Sequence, residues 1–275
     1  MSRQQKAFTL LELLVVISII TLLVSMLLPA MNLAMRSARS VTCVSNMHQW
    51  GIVFAAHLAD NDGHYLKGYI NYNVVGEYDL WMNGLRSYYV DGKIRLCPEA
   101  DKPAFPLARQ RFPLGDTFLA WGKMDGHDPS QYNNYPSTRA GDTGSYAING
   151  WVCDPPRDQQ SQMHGGFADD FHFNSFWRHP DHANIDRVPV FHDSFWHQNW
   201  PKHTAAPPLF DGYINGAGGN MLGAINRHTG AINLLFMDGS ARSEGLKSLW
   251  RLKWHRNYPV NAPSPVWPAW MSSFH

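Results

Sequence analysis

Charge is scarce in this chain. Asp, Glu, Lys and Arg make up 16% of its 275 residues, and 23 basic against 22 acidic side chains leave a net charge of +1. There is no basic stripe to replace the counterions condensed on nucleic acid, so nothing argues for nucleic acid as a partner. Cysteine is sparse too: Cys43, Cys97 and Cys153 form no CxxC, CxxCH or zinc-type spacing. Three thiols permit at most one intrachain bridge, worth roughly 2–4 kcal/mol in an oxidising compartment, and the residues alone do not choose the pair. GxSxG, a P-loop and any other nucleophile-bearing motif are missing, so the chain reads as non-enzymatic with no cofactor. Repeats, heptads and low-complexity tracts are missing as well. Aromatic residues are plentiful, with 11 Trp, 11 Tyr and 14 Phe, so a core can be built from bulky rings.

The longest absence is of charge along the chain. From Leu13 to Met35, 23 residues, no side chain is charged. As a helix that run measures about 35 Å, enough for a hydrocarbon core of about 30 Å. Residues 1–7 (MSRQQKA) are polar and carry Arg3 and Lys6. Basic residues in front and a long remainder behind orient the N-terminus to the cytoplasm and everything after the helix to the outside. The run is too long for a secretory signal core, and Asn32-Leu33-Ala34 is a poor cleavage site. Glu12 interrupts the apolar boundary, where a carboxylate costs about 2.5–3.5 kcal/mol if it reaches the bilayer centre. Such a group has a partner or a function, or it lies at the headgroups and favours the positive end of the helix dipole.

Ala7-Phe8-Thr9-Leu10-Leu11-Glu12, followed by the apolar helix, resembles the type IV prepilin cleavage and methylation signal. The resemblance implies a cut between Ala7 and Phe8 by a prepilin peptidase and N-methylation of Phe8. It also implies that Glu12 pairs with the new amine of a neighbouring subunit. The residue before the cut is usually Gly and here is Ala7. Pro29, 21 residues after Phe8, stands where pilins carry a proline that weakens the helix.

Beyond Met35 an amphipathic helix is expected to continue to Leu58, with Ala38, Val41, Val44, Met47, Ile52, Ala55, Ala56 and Leu58 as the stripe laid on the head. Gly51 is a weak point in it, and Asp60-Asn-Asp-Gly63 is a turn signal that ends it. Cys43-Val-Ser-Asn-Met-His-Gln-Trp-Gly51, Leu96-Cys97-Pro98, Ser145-Tyr-Ala-Ile-Asn-Gly150 and Val190-Phe191 with Asp193 resemble segments of a large pilin-like subgroup of diderm bacteria. His228, followed after nine residues by Asp238-Gly239, matches that subgroup's H-X9-DG signature, a fold marker without assigned chemistry. Residues 155–185 and 246–275 match none of it. Ala231 to Met237 reads as a strand, Asp238-Gly239 as a type I′ turn and Ser240 to Ser243 as the return strand. His228 is expected to bond a carbonyl or the Asp238 carboxylate and pin this hairpin. The resemblance favours Cys43–Cys97 as the disulfide, with Cys97–Cys153 the alternative.

Weaker constellations remain. Fourteen histidines include His179, His182, His192 and His197, which could offer imidazoles to a transition metal but at no standard spacing. Asp60 and Asp62 resemble the start of a calcium loop, and related pseudopilins bind calcium in the head. Position twelve of that loop falls on Asn71, where a bidentate acid belongs. A turn is the preferred reading there, and no metal is expected. The Trp-, Pro- and His-rich stretches 195–213 and 254–270 read as plugs over a small sheet, with sugar or protein contact as the rival.

These readings converge on an α+β, pilin-like fold: a long N-terminal helix packed on an antiparallel β-sheet head with long loops. The expected divisions are a cleaved leader (1–7), a transmembrane and filament-core helix (8–35), its amphipathic continuation (36–58) and an extracytoplasmic head (59–275). The expected protein is a single-pass inner-membrane pilin or type II secretion pseudopilin, its N-terminus cytoplasmic and its head periplasmic or extracellular. Its expected partners are a prepilin peptidase, sibling subunits, and an assembly platform with its ATPase. The alternative is a membrane-anchored protein whose head binds a glycan or protein.

Overall fold

The structure is a computed structural model, and it describes residues 9–68, 80–104, 114–122, 142–156, 170–212 and 223–274. Helix α1 runs unbroken from Leu10 to Asp60. Thr9 starts it: its hydroxyl accepts the Glu12 N–H at 3.2 Å while the Glu12 carboxylate accepts the Thr9 N–H at 2.9 Å. This capping box satisfies two amides that a helix start leaves without partners. The hydroxyls of Ser18, Thr21 and Ser25 fold back onto carbonyls of the preceding turn at 2.7, 2.9 and 2.7 Å, so they add no unpaired polar group to an apolar surface. Pro29 lies inside the helix without ending it, leaving the Ser25 carbonyl without its helical donor. The stop is where the sequence puts it. Asp62 and Gly63 take φ of +52° and +78°, and the Gly63 N–H closes on the Leu58 carbonyl at 2.8 Å.

From Leu10 to Arg39 every helix residue is exposed, and the window that is long and apolar enough to cross a membrane has none of its residues buried. The head first touches the helix at Arg39 and Ser40, through Glu99 and Asn233, and buries its side chains fully from Cys43 onward. The covered stripe is Cys43, Met47, Trp50, Val53, Phe54 and His57, at the three- and four-residue spacing of one helix face. This corrects the expected stripe: Ala38, Val41, Ile52, Ala55 and Ala56 face solvent, and of that set only Met47 is fully buried. A small-residue and β-branched pattern mis-set the phase, because the true seam is carried by the aromatics and the cysteine. Gly51 is a contact point rather than a weakness. A Cβ there would sit 3.1 Å from Leu235 Cδ1, so the missing side chain lets the helix approach the sheet.

The head holds a two-stranded ribbon, β1 (Trp121–Gly122) with β2 (Thr143–Gly144), and a five-stranded sheet. The five are β3 (Tyr146–Asn149), β4 (Pro189–Asp193), β5 (Gln198–Asn199), β6 (Ala231–Phe236) and β7 (Ala241–Gly245), in the order β5-β3-β4-β6-β7. All pairings are antiparallel except β5 with β3. The chain reverses between Asp193 and Gln198, so β5 reaches the far edge of β3 running in the direction of β3.

Strand periodicity splits the central residues between two faces. Tyr146, Ile148, Phe191, Asp193, Asn233 and Leu235 look toward α1. There Trp50 meets Trp81, Tyr89 and Phe191 with ring centroids at 5.0, 5.0 and 5.1 Å. His192 looks the other way, onto Trp254 at 5.2 Å. The C-terminal segment, led by Leu246, Leu249 and Trp254, covers that second face.

The β6–β7 turn differs from the expected type I′. Gly239 has φ +84°, but Asp238 keeps a negative φ, and the Gly239 N–H closes on the Phe236 carbonyl at 2.9 Å. The pattern is a type I turn followed by a left-handed glycine bulge. Asp238 selects it by accepting the Ser240 N–H at 2.9 Å, which holds its own backbone out of the left-handed region.

Candidate functional site

Two places bear on function: the N-terminal helix start, and a buried polar knot between α1 and the sheet. Ala7 and Phe8 lie outside the described residues, as does Asn71. Glu12 and Pro29 sit on the protruding stretch of α1. The Glu12 carboxylate also accepts the Thr9 hydroxyl at 2.8 Å, so within one chain it serves the helix start.

The buried knot assembles four separate elements. Cys43 comes from α1, Cys97 from the loop after a short 3-10 turn (Gly92–Arg95), Asp193 from the end of β4 and His228 from the loop before β6. Their donor atoms all lie within 4.8 Å of one another. His228 Nε2 stands 3.2 Å from Asp193 Oδ2 and 3.4 Å from Cys97 Sγ, and Cys43 Sγ is 3.8 Å from Asp193 Oδ2. Local backbone sets the imidazole. Thr229 and Gly230 take φ of +55° and +83°, so the chain doubles back and the His228 N–H reaches the Ala231 carbonyl at 3.1 Å. A β-branched residue at positive φ is an outlier of the kind that gathers at functional sites.

Arg227, wholly buried, locks the carboxylate in place. Its five N–H groups find five acceptors: Asp193 Oδ1 at 3.1 Å and the carbonyls of Thr117, Ser145, Asp116 and Ser194 at 2.6 to 3.2 Å. The Asn233 N–H adds a bond to Asp193 Oδ2 at 2.8 Å, and the Tyr146 hydroxyl sits 3.3 Å from Cys43 Sγ. Burial alone would raise the Asp193 carboxyl, but His228 and Arg227 outweigh it and hold it down at about 2. Burial opposes a charged His228, yet Asp193 and Cys97 lift it to about 10. Burial pushes the Cys43 thiol up, whereas its hydrogen bond and that of His228 bring Cys97 down to about 7 against burial. The knot thus favours the anionic forms of Asp193 and Cys97 and the protonated form of Cys43.

Several sequence expectations fall differently. Cys43 and Cys97 meet, but as free thiols, and Cys153 is buried outside the knot. His228 pairs with Asp193 and not with Asp238, which accepts bonds within its own turn; the length of β6 separates the two ends of the signature. Asp60 and Asp62 join no group of converging ligands among the described residues, and neither do His179, His182, His192 and His197. Sequence reading placed Asp193 in a strand pattern without a role and missed Arg227, whose signal is faint: one arginine beside the signature histidine.

His192 gives a pH prediction. Asn199 Nδ2 donates to its Nε2 at 2.9 Å, so its Nδ1–H donates to the Asp193 carbonyl at 2.7 Å, and the ring is neutral. Burial outweighs the Asp193 contribution and holds it down at about 4, with Arg227 acting in the same sense. The unfolded chain takes up this proton near 6.5 and the folded head refuses it. Stability present above pH 6.5 is therefore lost at about 1.4 kcal/mol per pH unit as pH falls toward 4. Denaturant midpoints measured from pH 7 to 4.5 should drop accordingly, and less steeply in His192→Gln.

A family model described as the Prokaryotic N-terminal methylation motif matches residues 2–28. No curated protein and no solved structure shows a significant similarity to the chain. The match supports a type IV pilin-like precursor at the level of its N-terminal segment.

Proposed function

We propose that the chain is a structural pilin or pseudopilin subunit, cut by a prepilin peptidase between Ala7 and Phe8 and methylated on Phe8. Its apolar helix is then packed with those of sibling subunits in a type IV pilus-like or type II secretion filament. The observation that carries this is the naked half of α1: about 45 Å of helix with apolar residues on every side and no cover from its own head. Such a surface belongs first in lipid and then against copies of itself. The basic leader faces the cytoplasm and the head faces outward. Assembly would depend on the platform and ATPase that extract subunits from the bilayer. Glu12 exchanges its Thr9 partner for a neighbour's new amine, because either charge unpaired in hydrocarbon is costly. The head has a structural role and no catalytic one. Of the aromatics behind the glycan-binding alternative, Phe195, Trp196, Trp200 and Trp254 are buried, whereas Trp267 and Trp270 are half-buried and Phe210 is exposed.

The test separates the charge of Glu12 from its cap. Glu12→Gln keeps the capping box but cannot pair with an amine. Losing compensation of about 2.5–3.5 kcal/mol should cut filament recovery by well over tenfold. Intact-mass measurement of the wild-type chain should show loss of residues 1–7 and one added methyl. An unprocessed chain, or a Glu12→Gln subunit that polymerises like wild type, refutes the reading.

A further inference from the structure

The geometry points to a structural zinc site: Cys43, Cys97, Asp193 and His228 bind one Zn²⁺ ion that ties the stalk helix to the head. Tetrahedral zinc has bonds of about 2.3 Å to sulfur and about 2.0–2.1 Å to nitrogen or oxygen, which sets donor separations of roughly 3.8 Å between sulfurs, 3.5 Å from sulfur to nitrogen or oxygen, and 3.3 Å from nitrogen to oxygen. Three of the six edges already stand near these lengths, and all four donors lie within 4.8 Å of one another. Cys97 Sγ to His228 Nε2 is 3.4 Å, Cys43 Sγ to Asp193 Oδ2 is 3.8 Å, and His228 Nε2 to Asp193 Oδ2 is 3.2 Å. Each lies within a few tenths of an ångström of the tetrahedral value. Two thiolates and an imidazole are the soft and borderline ligands that suit zinc, a carboxylate oxygen is a further donor it accepts, and four ligands leave no open position, as in sites that hold a fold together.

Charge and outer contacts agree with this. On binding, the thiols and the His228 imidazolium release their protons to solvent, which leaves two thiolates and a neutral Nε2 lone pair for the ion. Two thiolates and one carboxylate against Zn²⁺ leave one negative charge, which the buried Arg227 cancels. Arg227 holds Oδ1 of Asp193 and so leaves Oδ2 turned to the ion, as an outer contact that orients a ligand should. The left-handed Thr229 is the backbone distortion that delivers the imidazole. The four donors are 35 to 96 residues apart in order along the chain, which is why no short metal motif announces them. The site is complete within one chain and does not depend on polymerisation.

The test uses the full chain purified from membranes in detergent without added reductant. Elemental analysis should find about one zinc per chain after dialysis against a weak chelator, and denaturation should release three free thiols. Replacing zinc by Co²⁺ should give thiolate-to-cobalt charge-transfer and strong tetrahedral visible bands. Cys97→Ala and His228→Ala should lower bound zinc at least tenfold, while Cys153→Ser leaves it unchanged. Should the ligand variants fail to fold, the wild-type metal content and thiol count still decide. A chain lighter by two hydrogens with one free thiol means a Cys43–Cys97 disulfide and overturns the proposal. So do three free thiols with no zinc bound after incubation with Zn²⁺.

Discussion

Arg227→Met should cost the head about 3–5 kcal/mol of unfolding free energy, the range for removing one member of a buried ion pair. The methionine roughly fills the volume, so the loss is electrostatic. Asp193 keeps its charge with one fewer partner, and the carbonyls of Thr117, Ser145 and Ser194 lose a buried donor while that of Asp116 loses a part-buried one. Those carbonyls belong to the 116–117 loop, the residue before β3 and the residue after β4, so the loss spreads beyond one contact. Denaturant unfolding followed by tryptophan fluorescence measures it. Arg242→Met is the control: Arg242 is part-exposed and pairs with Glu244 at 2.9 Å on the surface, so its loss should stay within about 1 kcal/mol. Equal effects from the two arginines would refute the account of the knot.

Trp50→Ala should cost a similar 3–5 kcal/mol, here by leaving a cavity. Trp50 is fully buried at the centre of the helix–sheet seam, against Trp81, Tyr89 and Phe191, and its Nε1 donates to the Ile94 carbonyl at 2.7 Å. Rings on three sides cannot collapse into the space, because each is fixed by its own neighbours; Trp81, for one, also donates to the His197 carbonyl at 2.8 Å. The orphaned Ile94 carbonyl adds to the loss. Ile52→Ala, two residues along but 70% exposed, should change stability by less than about 0.5 kcal/mol. That contrast checks the phase of the helix directly, since the apolar pattern of the sequence would have ranked Ile52 among the seam residues.

The sequence made the helix legible because its signals are local. The uncharged run and the Asp-Asn-Asp-Gly stop can each be read without the rest of the fold, although the Thr9 cap was not. The β6–β7 hairpin was legible for the same reason, down to its glycine. The register of the seam was not. Cys43, Trp50 and His57 carry it, and none is recognisable as a core residue until the head supplies the other wall. The knot was least legible. Cys43, Cys97 and His228 were singled out, but what joins them is Asp193 with Arg227 behind it, and those contacts span 34 to 150 residues. Nor does the H-X9-DG signature act as a pair. Its histidine points back to β4, and its Asp-Gly shapes a turn.

The head buries α1 side chains fully from Cys43 to His57, while the stretch before Arg39 is exposed on all sides. A pull along α1 therefore enters the head at its first fully buried side chain. That side chain is Cys43, tethered in the same few ångströms to the loop after the Gly92–Arg95 turn, to β4 and, through His228, to the lead-in of β6. A pull on the rod is thus divided among three parts of the domain before it reaches the aromatic seam, and the knot acts as the shoulder joint of the subunit.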